Sequence, residues 1–324
     1  MRSLQPLTYL NELPWKNLCY EVKEPKSFED HVVDAKLGWE VDALPMYTEL
    51  HDKVQGYHAI YRKDDLRIFG VVNKPYPKLI QNVNSFDVLA SRMSDELTLE
   101  HIGAINEGGG VFGVFSLAQQ YKLIDDDIHQ YLIVMNDHVT ADGKLTIFNT
   151  PIRVACSNSL AAALSASHYK FRVALPDDPI NYEDVAEKVL STVGSSVIKL
   201  DDRAKKMLSL KLSDKQQNAI LDTLFPVTAS TELSEALGDD TINMQIELNR
   251  ETFINDCLGA DNLENYTGTF YQFFNAATDY SQHYYPKIDK TFDLSYRMKT
   301  LPGFGGDGSA KFVDKLLKLE KVVA

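Results

Sequence analysis

Apolar residues come in short runs broken by turn signals in the first half of the chain, and at three- and four-residue intervals in the second. Tyr57 to Arg62 and Leu66 to Val72 read as strands joined by a Lys63-Asp64-Asp65 hairpin turn. Val111 to Leu117 and Tyr131 to Met135 are nearly continuous apolar runs, and Asp142-Gly143 is a turn pair. Together they predict a β-meander over roughly Gly103 to Val154. Thr150 to Leu164 then reads as a strand end, a polar Cys156-Ser157-Asn158-Ser159 elbow and a small-residue helix from about Ser157 to Ser167. Ahead of the meander, a helix is expected from Ser27 to Ala35, with Ser27 as N-cap and Asp30 as a capping-box variant. A second is expected from Ser85 to Met93.

Beyond Pro176 the period changes. Tyr182 to Leu200, Asp201 to Leu210, Asp214 to Leu224 and the stretch from Ser234 carry apolar residues at helical spacing. Val185, Val189, Leu190 and Val193 mark a face packed on a neighbour. Further helices are predicted from Gly268 to Tyr280 and, after a Gly-rich break at Gly303 to Gly308, from Ala310 to Val322. The fold class is α+β: an antiparallel β-meander sheet backed by helices, with a mainly helical section in the C-terminal half. Three sections follow: an arm and α+β core over 1–176, a helical section over 177–260, and C-terminal helices packing back on the core over 261–324.

Composition narrows the class. A chain of 324 residues, 44% hydrophobic and 24% charged, can bury one large core or two modest ones and is not a disordered sequence. No apolar run is long enough to span a bilayer, and no signal-peptide core opens the chain. Cys19, Cys156 and Cys257 are odd in number and far apart, which suits a reducing cytoplasm and neither a disulfide framework nor a structural zinc site. A cytoplasmic protein without membrane contact is expected. The net charge of −13 counts against general nucleic-acid affinity. It is unevenly spread: Ser281 to Ala324 carries eight Lys/Arg against five acids, so the tail is +3 and the rest −16.

Two motifs carry a family resemblance. Arg153-Val-Ala-Cys156-Ser-Asn158-Ser159-Leu160 keeps the frame of an Arg-Val-Val-Cys-x-Asn-Thr-Leu elbow, with Ala155 and Ser159 substituted. Asn275-Ala-Ala-Thr278-Asp-Tyr280 followed by His283 resembles an Asn-Ala-Val-Thr-Glu-Tyr…His pattern. With Leu13-Pro14-Trp15, the Val111–Leu117 strand, Arg297 and Gly303 to Gly306, these make the chain similar to the phage/plasmid-like proteins of domain-of-unknown-function family 932. The resemblance covers most of the chain. It implies a mobile-element origin and gives Trp15, Cys156, Asn275, His283 and Arg297 as family-motif residues of unknown role.

Four constellations invite chemistry. Cys156 ahead of a helix N-terminus could be a low-pKa thiol with His283 as base, against the simpler reading of a small core residue. Glu107-Gly-Gly-Gly110 lacks the Lys-Ser/Thr of a phosphate loop and precedes a strand, so it reads as a hairpin turn. Asp125 to Asp127 with His129, and Asp137-His138, show no metal-ligand spacing, and no metal or cofactor is expected. Lys144, Arg153, Lys170 and Arg172, with Tyr169, Phe171 and Asn158, suit nucleic acid: cations for phosphates, rings for unpaired bases. In a strand, His168-Tyr-Lys-Phe-Arg172 puts rings on one face and cations on the other; an edge strand guarded by cations is the competing reading.

The functional expectation is a non-catalytic protein that binds or anneals single-stranded DNA in recombination or replication, as a homo-oligomer. The β-meander followed by a helix is reminiscent of phage annealing proteins at the level of fold alone. The alternative is a counter-defence or host-takeover protein that binds a host or phage protein or a small nucleotide. An enzyme built on Cys156 and His283 ranks third.

Overall fold

Local chemistry sets the first elements. The computed structural model describes residues 19–24, 26–92, 95–119, 121–124, 126–153, 170–174, 182–226, 241–284 and 307–323. Strand β1 is short, Tyr20–Glu21. Helix α1, Phe28–Asp34, starts at Ser27, whose hydroxyl accepts the Asp30 N–H at 3.1 Å. Strands β2 (Val41–Tyr47), β3 (Lys53–Arg62) and β4 (Ile68–Asn73) then form a three-stranded antiparallel sheet. Its inner face buries Ile60 and Val72 against Ala141. The outer face puts Leu44, Ala59 and Val71 in register.

β2 was not expected from the sequence, because Asp42 and Pro45 interrupt its apolar pattern. Both residues have a place at a sheet edge. Val41 gives its N–H to the Gln81 side chain and accepts from it, each at 3.0 Å. The Ala43 N–H goes to the Asp42 carboxylate at 2.7 Å, and Pro45 has no N–H. The helix expected from Ser85 to Met93 is instead a pair of 3-10 turns, Asn82–Asn84 and Asp87–Arg92. Phe86, Val88 and Leu89 are all fully buried there, a density of apolar positions that no single helical stripe provides.

The larger sheet holds β5 (Leu97–Ile105), β6 (Gly110–Leu117), β7 (Tyr121–Leu123), β8 (Asp126–Asp137), β9 (Lys144–Arg153) and β10 (Lys170–Ala174). It runs β1-β5-β6-β8-β9-β10, antiparallel throughout, with β7 paired to β8. Both faces are covered at its centre, which explains the unbroken apolar run Tyr131 to Met135. Leu132 and Val134 pack toward α1 and the next long helix; Tyr131, Ile133 and Met135 pack with Phe112, Val114 and Phe148 on the reverse.

That long helix, α2, is continuous from Tyr182 to Ser209, where the sequence suggested two. Its seam spans both cores. Ala186, Val189 and Val193 close the sheet core, and Leu200, Ala204 and Met207 enter a second, helical core. The second core adds α3 (Asp214–Leu224), α4 (Thr241–Thr252, continued by a π-turn over Phe253–Leu258), α5 (Phe270–His283) and α6 (Asp307–Val323). It draws residues from all three sections read from the sequence, including Leu123 and Ile128 of the meander. α5 is its axis: Phe270, Tyr271, Phe273, Phe274, Ala276 and Ala277 are all buried, and so are its polar Gln272, Asn275 and Thr278.

Candidate functional site

The connection between β8 and β9 is held by side-chain caps, backbone bonds and close backbone approaches. Asp137 caps its first turn by accepting the Val139 N–H at 3.0 Å, and its carbonyl accepts from the Thr140 hydroxyl at 2.9 Å. The 3-10 turn His138–Thr140 ends on Ala141, buried and in the left-handed region at φ 43°. A non-glycine residue is held there only by its surroundings. Gly143 follows at φ 67°, where a Cβ would lie 3.1 Å from the Lys78 Cβ. On the other flank, a Cβ on Gly70 would lie 2.8 Å from Val139 Cγ1, so the turn rests on the β4 backbone.

A second segment of chain lies alongside. The Lys78 N–H donates to Ala141 O at 2.9 Å, and the Gly143 N–H donates to Lys78 O at 3.0 Å. Lys74 Nζ donates to Thr140 O at 2.5 Å. From β10, Arg172 forks onto Asp142, with its two terminal nitrogens at 2.9 and 3.0 Å from the carboxylate oxygens, and reaches the Thr140 hydroxyl at 3.3 Å. Lys144 opens β9 and is exposed, as is Lys78, and neither has an ion pair among the described residues. Four cations, Lys74, Lys78, Lys144 and Arg172, thus surround one loop that contributes two acids, Asp137 and Asp142.

Beneath the loop sits an aromatic box. The His138 ring stacks on Phe69 (centroids 6.0 Å apart, 16° between planes) and meets Trp39 edge-on at 5.7 Å. Arg62 lies 4.8 Å above the Trp39 ring. Asn82 donates to Leu37 O at 2.7 Å and Trp39 O at 3.1 Å, which fixes its amide orientation. Its oxygen, 2.8 Å from His138 Nε2, is then an acceptor, and Nε2 carries the proton. His138 Nδ1 keeps a buried lone pair without a partner among the described residues. Burial pushes the His138 pKa down to about 4, so the ring is neutral around pH 7. Burial also raises the Asp137 carboxyl, and the Arg172 charge opposes that shift. The box is a support for the loop.

The register sorts the residues expected to bind nucleic acid. Arg172 is opposite Thr146, Lys170 opposite Phe148, and Ala174 opposite Lys144. Lys144, Lys170 and Arg172 therefore take positions on one face of the β9–β10 pair, and Phe171 takes the other. Arg153 does not join them. It is opposite Ile128 at the far end of β9, nine residues from Lys144, which is an odd offset and about 30 Å of strand. Asn158 and Tyr169 lie outside the described residues, as do Trp15, Cys156 and Arg297. His283 ends α5, and its side chain is likewise outside them. Asn275 is fully buried in α5 and donates to Tyr271 O at 2.9 Å. Its motif neighbour Thr278 donates to Asn275 O at 2.7 Å.

Asn106 to Gly109 forms the β5–β6 connection, with Glu107 and Gly108 both at positive φ, so the expected hairpin turn is present. Among the described residues no group of three or more His, Cys, Asp or Glu could hold a metal ion. Lys74, Lys78 and His138 were not picked out as a group by sequence reasoning. The hints were the Asp137-His138 pair, weighed as metal ligands, and the turn residues Asp142-Gly143.

The family model for a domain of unknown function, DUF932, matches residues 68–301. The chain belongs to the DUF932 family. The DUF932 span begins at β4 and takes in the whole β8–β9 loop, Lys74, Lys78 and β10, while Trp15, Trp39 and β2 fall before it. No curated protein and no solved structure matches this DUF932 protein. Among the described residues no helix is long and apolar enough to cross a membrane.

Proposed function

We propose that this protein is a non-catalytic single-stranded DNA-binding protein of a phage or plasmid, acting in recombination or replication as a homo-oligomer. One observation supports the reading above others. In a chain of net charge −13, Lys74, Lys78, Lys144 and Arg172 converge on the β8–β9 loop from three separate segments. A local excess of cations on a rigid edge can follow a phosphate backbone without reading its sequence.

The test is fluorescence anisotropy of a labelled single-stranded oligonucleotide at two salt concentrations, with light scattering on the same samples. Wild-type binding weakens steeply with salt. Lys78→Glu with Lys144→Glu lowers affinity at least about tenfold and flattens the salt slope. Arg153→Glu, on the opposite face, leaves binding unchanged. Wild-type affinity in the double charge reversal would remove this edge from consideration.

A second reading, a counter-defence or host-takeover protein, is favoured by the outer face of the small sheet. There Leu44, Tyr57, Ile68 and Val71 are exposed together. It predicts no DNA affinity at moderate salt.

A further inference from the structure

On the sheet face that meets α2, the packed layer is apolar at both ends and polar in the middle. Leu132, Val134, Leu145 and Ile147 pack with Val189 and Val193 on one side. Ile128 and Leu123 pack with Leu200 and Ala204 on the other. Between them stand Gln130 of β8 and Asn149 of β9. Gln130 is opposite Pro151 and Asn149 opposite Leu132, so the two side chains leave the same face of neighbouring strands, one diagonal apart. Gln130 is 1% exposed and Asn149 0%. Gln130 Nε2 and Oε1, and Asn149 Nδ2 and Oδ1, are all buried with no hydrogen-bond partner among the described residues.

Buried polar atoms are almost always paired, and an unmade pair costs more than an apolar group of the same shape. One such amide at the seam of two cores would be unusual; two on a shared diagonal define a site. An amide pair offers donors and acceptors in equal number and no charge, which matches a neutral partner bearing both. We infer that Gln130 and Asn149 form a buried binding site for a small neutral molecule that presents a donor and an acceptor together. Two sources share that chemistry, ordered water and an organic amide or lactam. The inference is independent of DNA binding, because the site lies on the face opposite Lys144, Lys170 and Arg172.

The test uses the full chain. Gln130→Met and Asn149→Leu are made singly and together, since both keep the side-chain shape closely while deleting the amide, with Asn149→Ala as a control for overpacking. With the site occupied, each single variant lowers Tm by at least about 2 °C. The double variant regains part of the summed loss, because neither amide is then left alone. A raised Tm in either single variant would overturn the proposal, since it would mean that unmet groups had been relieved. The occupant is identified on the wild-type protein. An organic ligand gives an added mass in native mass spectrometry that the double variant loses. Water gives cross-relaxation to the Gln130 and Asn149 side-chain amide protons. Neither signal from the wild-type protein would also overturn it, because the two amides would then be bonded to each other.

Discussion

Arg172 and Asp142 form a two-pronged ion pair, with nitrogen–oxygen distances of 2.9 and 3.0 Å, that ties the edge strand β10 to the loop between β8 and β9. The same carboxylate that positions Arg172 also offsets its charge. Asp142→Asn is therefore expected to cost little stability, under about 1 kcal/mol for a pair this exposed. On the DNA-binding reading it raises single-strand affinity several-fold at low salt, with the gain fading as salt is added. Anisotropy titrations of the variant at two salts check this; weaker binding than wild type would assign Asp142 a positioning role instead.

His138 predicts an acid-labile component of stability. Its folded pKa, about 4, lies below the ordinary 6.5, so the unfolded chain binds the proton first. The stabilisation is complete above about pH 6.5 and is lost as pH falls toward 4, in total on the order of 3 kcal/mol. His138→Gln removes this component. Urea midpoints measured from pH 7 to pH 4 are expected to fall less steeply in the variant, and parallel curves would contradict the assignment.

Arg92 gathers three carboxylates: Glu96 at 2.6 Å, and Glu183 and Glu187 of α2 at 2.7 Å each. Arg92→Ala leaves those acids facing one another across the α2 N-terminus. A loss of stability is expected that shrinks as salt is added, because the three carboxylates are about half exposed. Faster amide exchange should be confined to the first turns of α2. Uniformly faster exchange along the helix would show that the anchor lies elsewhere.

Phe253 sits on the π-turn after α4, fully buried and in ring contact with Phe225, Phe273, Tyr280 and Phe312. Truncation to alanine opens a cavity at the centre of the helical core and is expected to cost about 3–5 kcal/mol. Denaturant unfolding measures it, and a loss below 1 kcal/mol would mean that the core collapses around the gap.

Local signals in the sequence carried much of the architecture. Ser27 acts as the N-cap expected of it, and the Asp214–Leu224 helix matches its apolar spacing residue for residue. The apolar runs at Val111 and Tyr131 are the two central strands. What was missed depends on distant partners. β2 is a strand because it pairs with β3 along its length, while Gln81, forty residues on, satisfies Val41 at its open edge. Lys74 and Lys78 approach Thr140 and Ala141 across more than sixty positions, a proximity that no local pattern encodes. Arg153 is a different case. Its odd offset from Lys144 within one strand already placed the two on opposite faces, and strand parity alone could have separated them.

The edge of β2 has a consequence for how copies of this protein can join. Gln81, the Asp42 carboxylate and Pro45 use up or delete the outward backbone donors from Val41 to Pro45. No incoming strand finds a ladder to extend there, so the small sheet is a dead end for strand-by-strand polymerisation on that side. Ordered assembly at this end of the molecule has to go through side chains, a mode that stops at a defined number of subunits more readily than an open-ended fibre.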